Sequence, residues 1–123
     1  MLKHFLLVGL GGGIGSMLRY AAALLIPSRL FPYATLSVNI VGCFIIGLVM
    51  AMSARDDSFA QTWRLFLATG ICGGFTTFSA FSVENMELLQ NGKPGIAIMY
   101  ILLSVVLGIA ATFLGYTLVS YKL

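Results

Sequence analysis

The chain has 123 residues, of which 59% are hydrophobic and only 9% charged, with a formal net charge of +3. A soluble domain carries about 25% charged and about 45–50% apolar residues, and a disordered chain combines low hydrophobicity with high net charge. Both are excluded in favour of an all-α integral membrane protein with one domain, 1–123. Its seven basic residues are scattered singly, make no patch and point to no nucleic-acid partner.

A membrane-crossing helix needs about 20 mostly apolar residues, and the spacing of charges defines four such spans. The first, about 4–26, is free of formal charge until Arg19 and continues apolar through Ile26. Lys3 ahead of an apolar run, with Ala21–Ala23 after it, imitates a signal peptide, but three further spans outweigh that reading. Gly9–Gly13, Gly11–Gly15 and Gly12–Ser16 are spaced by four and let helices approach closely. The same glycines do not fit a GxGxxG dinucleotide fingerprint. Arg19 has two readings: it snorkels to the headgroups, or it faces a water-filled vestibule where it attracts anions.

Pro27 and Pro32 bracket the first loop. The second span, about 33–53, lies within the 25 uncharged residues between Arg29 and Arg55. Thr35, Asn39, Cys43 and Gly47 share one of its faces. The Asn39 amide needs partners that hydrocarbon cannot supply, so it either glues helices together or lines a polar pathway. Cys43 and Cys72 lie in apolar stretches without a CxxC pattern and read as small buried residues, with no disulfide or metal role.

The third span, about 63–89, follows the short loop 55–58 and has the most unusual composition. Gly70, Gly73, Gly74, Thr76 and Thr77 are poor choices for a continuous helix and predict a break near mid-membrane. Unpaired backbone at that depth persists only where protein or water covers it or where it binds an ion. Beyond the break, Phe75, Phe78 and Phe81 recur every three residues, either as core packing or as electropositive ring edges facing an anion. Glu84 is expected near membrane depth and Glu87 at the surface. The loop 91–95 is turn chemistry. The fourth span, about 95–120, carries Tyr100, Ser104, Gly108 and Thr112 on one face.

Both termini and the middle loop share a side holding Lys3, Arg55, Arg64 and Lys122; the other side holds Arg29 and Lys93, with Arg19 if it reaches that surface. This asymmetry is feeble, which permits copies inserted in both orientations. Four short-looped helices enclose little of a pathway alone, so an oligomer is expected.

Three segments in order resemble the motifs of the CrcB/Fluc fluoride channel family: Gly11 through Tyr20, Thr35 through Gly42, and Gly73 through Phe81. The resemblance covers essentially the whole chain. It implies an antiparallel, dual-topology homodimer in the plasma (inner) membrane of a prokaryote, with two narrow pores that export fluoride passively. Phe78 and Phe81 match the phenylalanines flanking the ion path, Asn39 the pore asparagine, and Ser79 the hydroxyl that follows the first of those rings. Tyr100 and Ser104 match the polar track of the fourth helix, and Arg19 the vestibule arginine. A central structural sodium ion held by backbone carbonyls maps to Gly73 and Thr76. Ala80, where the family commonly has threonine, and Gly108 depart from the pattern.

Fluoride is small and strongly hydrated, so a pore must replace its water with close donors. In the expected mechanism Asn39, Ser79, Tyr100 and Ser104 supply donors while Phe78 and Phe81 offer ring edges. The main rival is a small four-helix proton-coupled multidrug exporter, which needs a titratable carboxylate deep in the membrane; the first span has none. A non-transporting assembly subunit leaves Asn39 and the unusual third span without a role. An enzyme is not expected, because the only histidine is His4 and no nucleophile–base pair is evident.

Overall fold

The computed structural model describes residues 1–122, and side chains for residues 1–120. The Lys122 charge counted above therefore lies outside the described side chains. The chain is all helical: α1 (Leu2–Leu25), α2 (Tyr33–Arg55), α3 (Asp57–Arg64), a π-helical segment π1 (Leu65–Cys72), α4 (Gly73–Phe75), α5 (Phe78–Gln90) and α6 (Pro94–Lys122). Among the described residues, four stretches are long and apolar enough to cross a membrane: Leu2–Leu25, Tyr33–Arg55, Asp57–Gln90 and Pro94–Ser120. At 1.5 Å per residue even the shortest of them is about 35 Å long, enough for a hydrocarbon core of about 30 Å. Large apolar side chains such as Leu10, Met17, Ile98 and Phe113 are exposed along the flanks, the arrangement of a multi-pass protein solvated by lipid.

The third span begins at Asp57, six residues before the expected start. Asp56 has extended backbone (φ −140°, ψ 111°), and its carboxylate accepts from the Ser58 and Phe59 amides. The Ser58 hydroxyl also donates to it, at 2.8 Å. That cap starts a helix which runs without interruption into π1, where the Gly73 amide reaches back five residues to the Ala68 carbonyl. Helical geometry stops after Phe75: Thr76 (φ −84°, ψ 156°) and Thr77 (φ −150°, ψ 121°) are extended. It resumes at Phe78, where the Thr77 hydroxyl caps the Ala80 amide at 3.0 Å. At the far end Gly92 (φ 70°) takes the left-handed conformation that closes α5, and the Lys93 amide returns to the Leu88 carbonyl at 2.8 Å.

Close backbone approaches hold the spans together. A Cβ on Gly15 would collide with the Ile71 carbonyl and stand 2.7 Å from the Phe75 amide nitrogen; one on Gly11 would stand 2.9 Å from the Gly70 Cα. Gly74 meets the Gly12 carbonyl in the same way. Only part of the first-span glycine pattern is used within the chain, because Gly9 and Gly13 have nothing within 4 Å. The second contact joins α2 and α6, where Gly47 abuts the Thr112 carbonyl and Gly115 the Phe44 carbonyl. These two helices run the same way across the membrane. Their register is continued by Arg55, whose Nη1 donates to the Val119 carbonyl at 3.1 Å.

Gly15→Ala should therefore destabilise the fold by about 1–3 kcal/mol, the usual scale of forced overpacking, read as a lower thermal midpoint in detergent. Gly95→Ala, which meets nothing within 4 Å, should leave the midpoint unchanged. The Asp56 carboxyl is held below its ordinary value, chiefly by the Ser58 hydroxyl and then by the Phe59 and Ser58 amides. Its contribution is thus present above the unfolded-state pKa and lost as pH falls through the folded value. The unfolding midpoint should drop as pH falls below about 4, the ordinary aspartate value, and Asp56→Asn should flatten that part of the profile.

Candidate functional site

The site is built around the extended pair Thr76–Thr77. A two-residue gap between helices leaves amides and carbonyls that an apolar medium cannot satisfy. Asn39, from the polar face of α2, answers both groups of Thr77. Its Nδ2 donates to the Thr77 carbonyl at 3.1 Å, and its Oδ1 accepts from the Thr77 amide at 2.8 Å. One side-chain amide thus stands in for the peptide group of a neighbouring strand. Thr76 turns back on the preceding helix: its amide and hydroxyl both donate to the Cys72 carbonyl, at 3.0 and 2.8 Å. Arg19, half-buried on α1, donates from Nε to the Gly74 carbonyl at 3.1 Å. A cation is placed favourably there, since the C-terminal end of a helix carries partial negative charge. Among the described residues no hydrogen bond reaches the carbonyl oxygens of Gly73 or Thr76.

Beside this interruption lies a cavity of about 470 Å³, whose wall includes Asn39, Gly73, Thr76, Phe78, Phe81 and Ser104. The Phe78 ring is 69% exposed and stands 5.5 Å from that of Phe81, centroid to centroid. Phe81 in turn meets Tyr100 edge-on at 4.9 Å. Ser104 belongs to the same wall, and its Oγ is buried without a hydrogen-bond partner. Cys43 and Cys72 line the same cavity as free thiols.

Three of the expected residues stand off that wall. Ser79 is exposed, with its hydroxyl 3.2 Å from that of Thr77. Arg19 is committed to Gly74 as described. Tyr100 is fully buried, at 0% exposure, and its hydroxyl donates to Glu84 Oε1 at 2.8 Å while the Thr35 hydroxyl donates to Glu84 Oε2 at 2.8 Å. Glu84 is thus the meeting point of the polar faces of α2 and α6. Sequence reasoning placed it only by depth and gave Thr35 and Thr77 no specific role. The available signal was that Thr35 and Tyr100 head two polar faces, each in need of a partner, one turn beyond Phe81.

Helical spans, an interrupted third helix and an open, mostly apolar cavity beside the interruption define a multi-pass membrane protein. The family model described as "CrcB-like protein, Camphor Resistance (CrcB)" matches residues 6–116, and the chain belongs to that family. It is similar to proteins named fluoride-specific ion channel FluC. That of Azobacteroides pseudotrichonymphae is 44% identical, over 98% of this chain and 99% of its own. That of Flavobacterium psychrophilum is 47% identical (93% and 94%), and one from Thermus thermophilus is 46% identical (95% of each).

Asn39→Ala would leave the Thr77 amide and carbonyl unpaired at about 1–3 kcal/mol for each buried group. A loss of about 2 kcal/mol or more is expected in thermal unfolding. Asn39→Asp, whose ionised carboxylate can accept from the Thr77 amide but sets an acceptor against the Thr77 carbonyl, should also lose stability.

Proposed function

We propose that this protein is a passive, fluoride-selective ion channel that lets cytoplasmic fluoride leave the cell. The observation that carries the reading is the cavity at the third-span interruption, whose wall combines Phe78 and Phe81 with Asn39 and with Ser104, a residue whose buried hydroxyl has no partner. Ring edges and a free hydroxyl are suited to a small, hard anion stripped of water, and the channel names of relatives 44–47% identical over more than nine-tenths of both chains supply the ion. In this mechanism Asn39 spends its amide mainly on holding Thr77, so that the rings stay aimed at the path, and Ser104 offers the donor. Ser79 and Tyr100 border the path and do not line this cavity.

In the same reading the interruption lies near mid-membrane, and the working unit is an antiparallel homodimer with two pores, inserted as a multi-pass protein in the inner membrane of a prokaryote. The weak charge asymmetry of the loops supports two-way insertion. The open cavity and the unused Gly9 and Gly13 face support a second copy. A structural sodium ion fits the site: the Gly73 and Thr76 carbonyls are hard oxygen donors without hydrogen bonds, and two copies would offer four of them to a cation that prefers oxygen ligands. Bound there, sodium would tie the two interruptions together and add positive potential beside the anion path. The proton-coupled exporter gains no support: Glu84, half-buried in the third span, is held by Tyr100 and Thr35.

Protein reconstituted in liposomes should release fluoride rapidly, read by a fluoride electrode, without chloride release and without an imposed proton gradient. Phe81→Ile should lower the flux by tenfold or more, the effect of about 1.4 kcal/mol on the barrier, with the oligomer intact on a sizing column. Undiminished flux would remove the ring-edge role, and flux that follows a proton gradient would favour the exporter.

A further inference from the structure

A second cavity, of about 200 Å³, lies between the first and third loops, and its wall includes Ser28, Arg29, Phe31, Glu84, Glu87 and Lys93. It is separate from the cavity at the third-span interruption, and the two share no lining residue. The space between them is occupied by an unbroken file of rings. Phe81, on the wall of the first cavity, packs edge-on against Tyr100 at 4.9 Å; Tyr100 packs edge-on against Phe31, on the wall of the second, at 5.4 Å and 72°. The Tyr100 hydroxyl is bonded to Glu84, which also lines the second cavity. The fully buried Tyr100 therefore sits between Phe81, on the wall of the first cavity, and Phe31, on the wall of the second.

We infer that the second cavity is the aqueous mouth of the same anion path, with the stacked Phe81, Tyr100 and Phe31 rings as the partition between mouth and pore. The inference rests on the fluoride-channel reading and extends it to residues in the loops. Arg29 and Lys93 come from loops 26–32 and 91–93, which the sequence places on one side of the membrane, and the fold brings them to one opening with the exposed Glu87. Two long helices also begin here, α2 at Tyr33 and α6 at Pro94, and their N-terminal amides bias the opening toward anions. Glu87 acts in the opposite sense. If this is the mouth, each of these charges sets the local fluoride concentration according to its sign.

The test is fluoride efflux from liposomes carrying wild type, Arg29→Gln, Lys93→Gln or Glu87→Gln, measured at about 10 mM and about 1 M ionic strength. One unit charge acting across about 8 Å of water changes local ion concentration roughly twofold, and the Debye length shrinks from about 30 Å to about 3 Å between those conditions. At low salt the first two variants should pass fluoride about twofold more slowly and Glu87→Gln about twofold faster. At high salt all should match wild type. Wild-type flux with no change in any variant at low salt would overturn the mouth and leave the channel reading standing. Changes that persist at high salt, or that share one sign, would be structural and overturn it equally. Absence of fluoride flux from wild type would defeat the channel reading itself.

Discussion

Two residues of extended backbone, Thr76 and Thr77, must find hydrogen-bond partners between helices that face lipid, and the rest of the structure is arranged to supply them. In water such a gap would cost little, because solvent would take the freed amides and carbonyls. In hydrocarbon each unpaired group costs several kcal/mol. The Asn39 amide meets both groups of Thr77, the Thr76 amide and hydroxyl close on Cys72, and Arg19 takes the Gly74 carbonyl. Two spans are thereby committed to a third, with Asn39 supplied by α2 and Arg19 by α1. Beyond the gap, Phe78 and Phe81 are what the restarted helix presents at the cavity.

Glycine permits that arrangement. The π-helical winding over Leu65–Cys72 is broader than an α-helix, and a broader segment can pack closely only against a neighbour with no side chain in the way. Gly11 and Gly15 of α1 provide that surface, and Gly70 and Gly74 answer from the other side. Across the bundle, Gly47 and Gly115 bring α2 and α6 to backbone contact, so the polar faces of these parallel helices stay in register. Thr35 and Tyr100 converge on Glu84 at one level, and Cys43 faces Gly108 further along. The faces that look like two separate stripes in the sequence are the two walls of one polar seam.

Much of the fold was legible because the bilayer constrains it so strongly. Charge spacing and length mark four spans, and their observed bounds depart appreciably only at the third, where the Asp56 cap starts the helix at Asp57. Less of the site was legible. Asn39 is conspicuous as an amide in apolar surroundings, yet periodicity left open whether it glues helices or lines a path. It is bonded to Thr77 and also stands on the cavity wall. Arg19 was read as snorkelling or facing a vestibule, and its Nε is bonded to a helix-end carbonyl, a partner that periodicity does not reveal. Glu84 is the residue least visible in advance, because its importance comes from partners 49 and 16 positions away.

By itself, then, the sequence determined that the chain has four stretches fit to cross a membrane, which faces of α2 and α6 are polar, and that the first span carries glycines spaced for close approach. These follow from composition and helical period, which are local properties in a solvent that tolerates few alternatives. Only the tertiary structure decided which polar group answers which. Tyr100 could have faced the cavity, but its hydroxyl lies on Glu84 and its ring between two cavities; Ser104 could have bonded its own helix, but its hydroxyl is left free at the wall. Helical period fixes the face a side chain occupies. The partner on that face depends on the rotation and depth of the neighbouring helix, which are set by glycine contacts distributed over the whole chain.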